Sequence, residues 1–109
     1  MKQEDLTKKA IEILNKTKPT GIYSYTVHRV NDVSLKGIKI SIRSNKLKWG
    51  ILTFVIDDLM YDPGWTWGED DAKCGADKAK TPEDKIIIRI AYIIWRNFLY
   101  NKINWNNLN

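Results

Sequence analysis

A chain of 109 residues with 43% apolar and 28% charged side chains has the make-up of one small globular domain, which excludes an intrinsically disordered tract. Its net charge is +5, but lysine, isoleucine and asparagine, all with AT-rich codons, number 14, 15 and 9, so codon usage accounts for part of the basic excess. The lone Cys74 excludes an intramolecular disulfide, no apolar run opens the chain as in a signal peptide, and the stretch from Ile86 to Tyr100 is too short and too broken by Arg89, Arg96 and Asn97 to span a bilayer, which together lead to the expectation of a cytoplasmic protein without membrane contact.

Residues 4–17 are expected to form a helix, with Leu6, Ala10, Ile13 and Leu14 on its buried face and Pro19 ending it. Residues 21–30 are rich in β-branched and aromatic side chains and read as a strand. The next strand alternates strictly, Ile38, Ile40 and Ile42 against Lys39, Ser41 and Arg43. A third strand is expected over Leu47–Ile56. Its apolar parity changes between Leu47/Trp49 and Leu52/Phe54/Ile56, and a bulge at Gly50-Ile51 would bring both sets to the core. Residues 57–80 lack periodicity and read as a long irregular connection with a small hairpin about Pro63-Gly64, of a length that is usually functional or disordered. Thr81-Pro82-Glu83-Asp84 is a helix start, with threonine as cap, proline at the first position and acids in the first turn. On that last helix Ile87, Ile90, Ala91, Ile94 and Phe98 form the expected buried face, and Lys85, Arg89, Tyr92 and Arg96 a separate stripe.

The expected fold is therefore α+β, a single domain over residues 1–109 in the order α-β-β-β-α. A three-stranded antiparallel sheet carries helices on one face, a long acidic loop joins the third strand to the last helix, residues 1–3 and 104–109 fray, and Trp105 anchors the tail. Double-stranded-RNA-binding domains share this order of elements. Their Gly-Pro-x-His loop is absent here, and Ala76-Asp77-Lys78-Ala79-Lys80 echoes the basic start of their last helix only until Pro82 breaks it, so the resemblance is one of topology and implies no function.

The only histidine, His28, lies in a strand beside Arg29 with no nucleophile context, and Cys74 has no partner base; neither implies catalysis. Two such residues cannot supply the four ligands of a structural zinc site. Asp58, Asp62 and Glu69 fall at positions 1, 5 and 12 of a calcium-loop count, but Met60 and Pro63 occupy the ligand and glycine positions between them. Asp57-Asp58 at a strand end resembles the acids of magnesium nucleases without the further carboxylate and lysine at any defined spacing. No phosphate-binding glycine loop is present. The sequence thus predicts no catalytic residue, no metal and no cofactor.

Charge is segregated along the chain. Residues 57–84 hold nine acids against three bases, whereas residues 1–56 hold eleven bases against four acids. Residues 57–71 contain six acids, no base and two of the five tryptophans. Asp57, Asp58, Tyr61, Asp62, Trp65, Trp67, Glu69, Asp70 and Asp71 are accordingly the expected partner-binding residues: the indoles supply contact area, and mutually repelling acids seek a basic partner. The alternative is that both tryptophans fold back onto the core. This leads to the expectation of a small non-enzymatic binding or inhibitor protein, a monomer or weak homodimer, acting on a basic and possibly nucleic-acid-binding protein. Its setting would be a phage or mobile element antagonising host defence, as an anti-CRISPR protein does. The alternative function is nucleic-acid binding by a basic sheet face of Lys39, Arg43, Lys46 and Lys48 near Tyr23 and Tyr25, with Arg89 and Arg96 assisting.

Overall fold

Strict alternation in the middle strand settles the architecture. In a computed structural model, which describes residues 2–102, β1 (Ile22–Asn31), β2 (Lys36–Ser44) and β3 (Ile51–Asp57) form one antiparallel sheet in the order β1-β2-β3. Ile38, Ile40 and Ile42 of the central strand are fully buried and face α1 (Gln3–Thr17) and α3 (Pro82–Tyr100). Directly opposed residues share a face, so Tyr25, Val27 and Arg29 of β1 and Leu52, Phe54 and Ile56 of β3 lie on this helix side. His28, Lys39 and Val55 lie on the opposite, open side. Gly37 lets β2 and β3 close together, because a Cβ there would lie 2.2 Å from the carbonyl oxygen of Ile56.

The expected order of elements and the one-sided helix layer are both observed. Thr81 caps α3 by accepting from the Asp84 N–H at 3.1 Å, with Pro82 in the first turn. Three local expectations are corrected. The strand expected over Leu47–Ile56 begins only at Ile51, because Gly50 adopts φ +77° and closes a turn instead of bulging a strand. Leu47 alone of that segment's first half enters the core, while Trp49 is 77% exposed. On α1, Ile13 is 47% exposed and Ile11 takes the buried position. Gln3, expected to fray, opens α1, and its carbonyl accepts from Thr7 Oγ1 at 2.8 Å. The expectations for Trp105 and for fraying at 104–109 lie outside the described residues.

The connection from β3 to α3 is ordered and contains no hairpin. It runs through a 3-10 turn at Asp58–Tyr61, the short helix α2 (Glu69–Cys74) and a second 3-10 turn at Ala76–Lys78. Among the described residues, no helix is long and apolar enough to cross a membrane.

Candidate docking surface

Arg89 explains why a segment without apolar periodicity is ordered. It projects from α3 with no exposed surface, inside the run Ile86-Ile87-Ile88-Arg89-Ile90. Its five N–H donors are all used. Nε and Nη2 donate to the two carboxylate oxygens of Asp71 at 2.8 and 2.9 Å, Nη1 to the carbonyls of Met60 and Asp62 at 3.1 Å, and Nη2 also to the Trp65 carbonyl at 2.9 Å. One guanidinium therefore ties four points between residues 60 and 71 to the last helix. Burying a charge is costly unless it is paired and fully hydrogen-bonded, and this one is both. The Arg89 guanidinium holds the Asp71 carboxyl below the usual carboxylate range against the opposing effect of burial, and the Trp67 N–H, donating to Asp71 Oδ2 at 3.0 Å, adds to this.

Around that hub the aromatic side chains settle in a defined order. The Trp65 ring lies 5.9 Å from the Arg89 guanidinium carbon. Trp67 meets Tyr92 edge to face at 6.0 Å, and Arg96 lies over both rings, 5.9 Å from Trp67 and 5.5 Å from Tyr92. Arg96 also approaches Asp70 at 3.7 Å. Both tryptophans are half-buried and lie against arginines of α3, but neither packs against the hydrophobic core as the alternative reading of them has it.

Several residues expected to meet a partner are occupied within the molecule. Asp71 is buried against Arg89. Tyr61 is buried too, and its hydroxyl shares a 2.6 Å hydrogen bond with Thr7, pinning the 3-10 turn to α1; burial pushes its phenol pKa up. Asp58 accepts both Arg29 terminal nitrogens, at 2.8 and 2.7 Å; these bonds lower the Asp58 pKa and raise that of Arg29. Asp57 accepts from the Leu59 N–H and Asp62 from the Gly64 N–H, both at 2.8 Å, yet both residues stay exposed, as does Glu69. The acids of the segment that stay exposed are Asp57, Asp62 and Glu69, and the half-buried Asp70 lies beside the Trp67–Tyr92–Arg96 stack. Sequence reasoning did not place Arg29, Thr7 or Tyr92 in this region. A lone arginine within an isoleucine run, downstream of six acids, was the available signal for the hub.

The expected basic sheet face is dispersed. Arg89 is corrected outright, since it is buried and fully bonded. Arg96 belongs to the aromatic stack. Tyr25 faces the helices, with its hydroxyl 3.4 Å from Glu12, and burial, then that carboxylate, raises its pKa. Lys39 and Arg43 stay on the open side of the sheet, while Lys46 and Lys48 lie in the turn before β3.

A groove of about 410 Å³ between α1 and α3 is lined by Ile13, Ile88, Ala91, Trp95 and the Cys74 thiol among others. Burial raises the thiol's pKa, the reverse of what a nucleophilic cysteine needs. Among the described residues, no three His, Cys, Asp or Glu side chains are grouped to hold a metal ion. Protein-family models, curated proteins and solved structures gave no match to this chain.

Proposed function

We propose that this chain is a small non-enzymatic binding or inhibitor protein that docks segment 57–71 on a basic surface of a protein partner. The observation that carries the reading is the Arg89 hub. A buried arginine with every donor directed at one loop fixes that loop's backbone before any partner arrives, and a surface already ordered loses less entropy on binding. The contact surface has Trp67 and Tyr92 as apolar anchors with Asp70 beside them, and Asp57, Asp62 and Glu69 are the segment's exposed acids. Acids around a partly exposed indole complement a groove that normally receives nucleic acid.

The partner proposed is thus a nucleic-acid-binding host protein in the cytoplasm, antagonised by a phage or mobile-element product of the anti-CRISPR kind. The small size, the AT-rich residue usage and the single unpaired Cys74 support that setting. The protein acts as a monomer or weak homodimer and needs no cofactor.

The test is a tagged pull-down of the full chain from host cells, with and without nuclease, beside a Trp67→Ala/Glu69→Lys variant. A stoichiometric protein partner that survives nuclease and is lost with the variant supports the reading. Recovery of nucleic acid, with all proteins vanishing after nuclease, contradicts it.

A further inference from the structure

The end of the molecule opposite the acidic segment is built differently. Leu47 is inserted in the core, and around it the turn after β2 is closed by the Leu47 N–H to Ser44 carbonyl bond at 3.2 Å and the Gly50 N–H to Leu47 carbonyl bond at 3.1 Å. The Lys48 N–H donates to the Asn101 carbonyl at 2.8 Å, and Leu47 bridges to Lys102, so the turn is pinned to the end of α3. A turn fixed at Leu47 holds Lys48 and Trp49 outward. Tyr23 falls where β1 slips register, between Ile22 opposite Ser44 and Ser24 opposite Arg43, and is 70% exposed. Tyr100, 84% exposed, precedes Asn101 but lines a cavity with Trp67 and Arg96, so it is not part of this end.

Charge here has one sign. No acid occurs from residue 13 to 31, from 33 to 56, or after Asp84, and these are the segments that build this end. Arg43, Lys46, Lys48 and Lys102 sit among the rings, and among the described residues none of the four makes an ion pair. The Lys46 ammonium donates to the Pro19 carbonyl at 3.0 Å, which places it without neutralising it. Lys48 lies 5.5 Å from the Trp49 ring centroid. Strands lie about 4.8 Å apart, so Ser24 on β1, next to Tyr23, and Ile51 on β3 flank Arg43 with about 10 Å between them, and Trp49 stands two residues before Ile51.

We propose that this end, with Trp49 and Tyr23 as stacking platforms and Arg43, Lys46, Lys48 and Lys102 as phosphate contacts, binds single-stranded nucleic acid. Flat rings interleaved with unpaired cations match a ligand that alternates bases and phosphates, and a single strand offers unpaired base faces that a duplex conceals. An anionic membrane would draw on the same cations but favours an apolar wedge rimmed by charge, and here the cations stand between the rings. The site is separate from the acidic segment and does not depend on the function proposed for it.

The experiment is a fluorescence-anisotropy titration of the full chain against labelled oligo-dT and oligo-U at low salt, with a DNA duplex and phosphatidylserine vesicles in parallel. Binding of either single strand, preferred over the duplex, is expected to weaken about tenfold or more in Trp49→Ala. It should weaken further in Lys46→Glu/Lys48→Glu, whose salt dependence should also be shallower. Val33→Ala, fully exposed and in neither site, should leave it unchanged. Trp49 and the two lysine side chains lie outside the core, and circular dichroism confirms that the variants fold. No oligonucleotide binding, binding indifferent to Trp49→Ala, or binding to vesicles alone would overturn the proposal.

Discussion

The two ends of this protein both combine charge with aromatic side chains, but they use them in opposite ways. At the acidic end, three arginines answer three of the acids: Arg29 pairs with Asp58, Arg89 with Asp71, and Arg96 approaches Asp70. There Trp65 and Trp67 lie against arginines and are half-buried. At the basic end, Arg43, Lys46, Lys48 and Lys102 lie in segments free of acids, and Trp49 and Tyr23 stand in solvent. The acidic composition of residues 57–71 therefore overstates the free charge on that surface, and the basic end understates its exposed aromatic area. Self-organisation and availability are different properties, and only partner geometry separates them.

The sharpest way to break the comparison is to unbalance the hub. Asp71→Ala leaves a buried guanidinium without its counter-ion and should cost about 3–5 kcal/mol in urea denaturation. A double variant Arg89→Met/Asp71→Leu, which removes both charges, should recover only the part due to the unpaired guanidinium, because the Met60, Asp62 and Trp65 carbonyls lose their donor as well. If Asp71→Ala is nearly neutral, the hub does not organise the segment. At the other end, Leu47→Ala should cost about 2–5 kcal/mol through the cavity it leaves, by the same measurement. Removing the α3 cap in Thr81→Ala should cost about 1 kcal/mol.

The pH dependence sharpens the contrast further. The folded-state pKa of Asp71 is depressed, so its contribution to stability is complete above the unfolded-state value of about 4 and is lost as pH falls through the folded value. Stability measured at pH 7 and pH 3 should therefore fall by less in Asp71→Asn than in the unaltered protein; equal losses would remove the ion pair from the account. The smallest effect is expected from Trp49→Ala and Tyr100→Ala, each within about 0.5 kcal/mol, because neither side chain is packed.

How much of this was legible in the sequence follows from what each element depends on. β2 and the start of α3 were readable because alternation at Ile38, Ile40 and Ile42 and the Thr81-Pro82 cap are local signals. The ordering of residues 57–80 was not, since it rests on one long-range residue whose position resembled an outward stripe. Arg89 lies beside Lys85 and Arg96 on a helical projection, and only its five bonds distinguish it from them. Trp49 was misplaced for a different reason. A glycine after it suggests a bulge within a strand, whereas φ +77° at Gly50 closes a turn that leaves Trp49 exposed.

Amide hydrogen exchange on the full chain tests the central claim, that Arg89 holds segment 58–78 in one conformation in the absence of any partner. The account expects slow exchange at Asp62, Trp65, Trp67 and Asp71, whose N–H groups are bonded within the segment. It also expects rapid exchange at those positions in Asp71→Ala, while β2 stays protected. Free-chain exchange rates across 58–78 in the unaltered protein would contradict it.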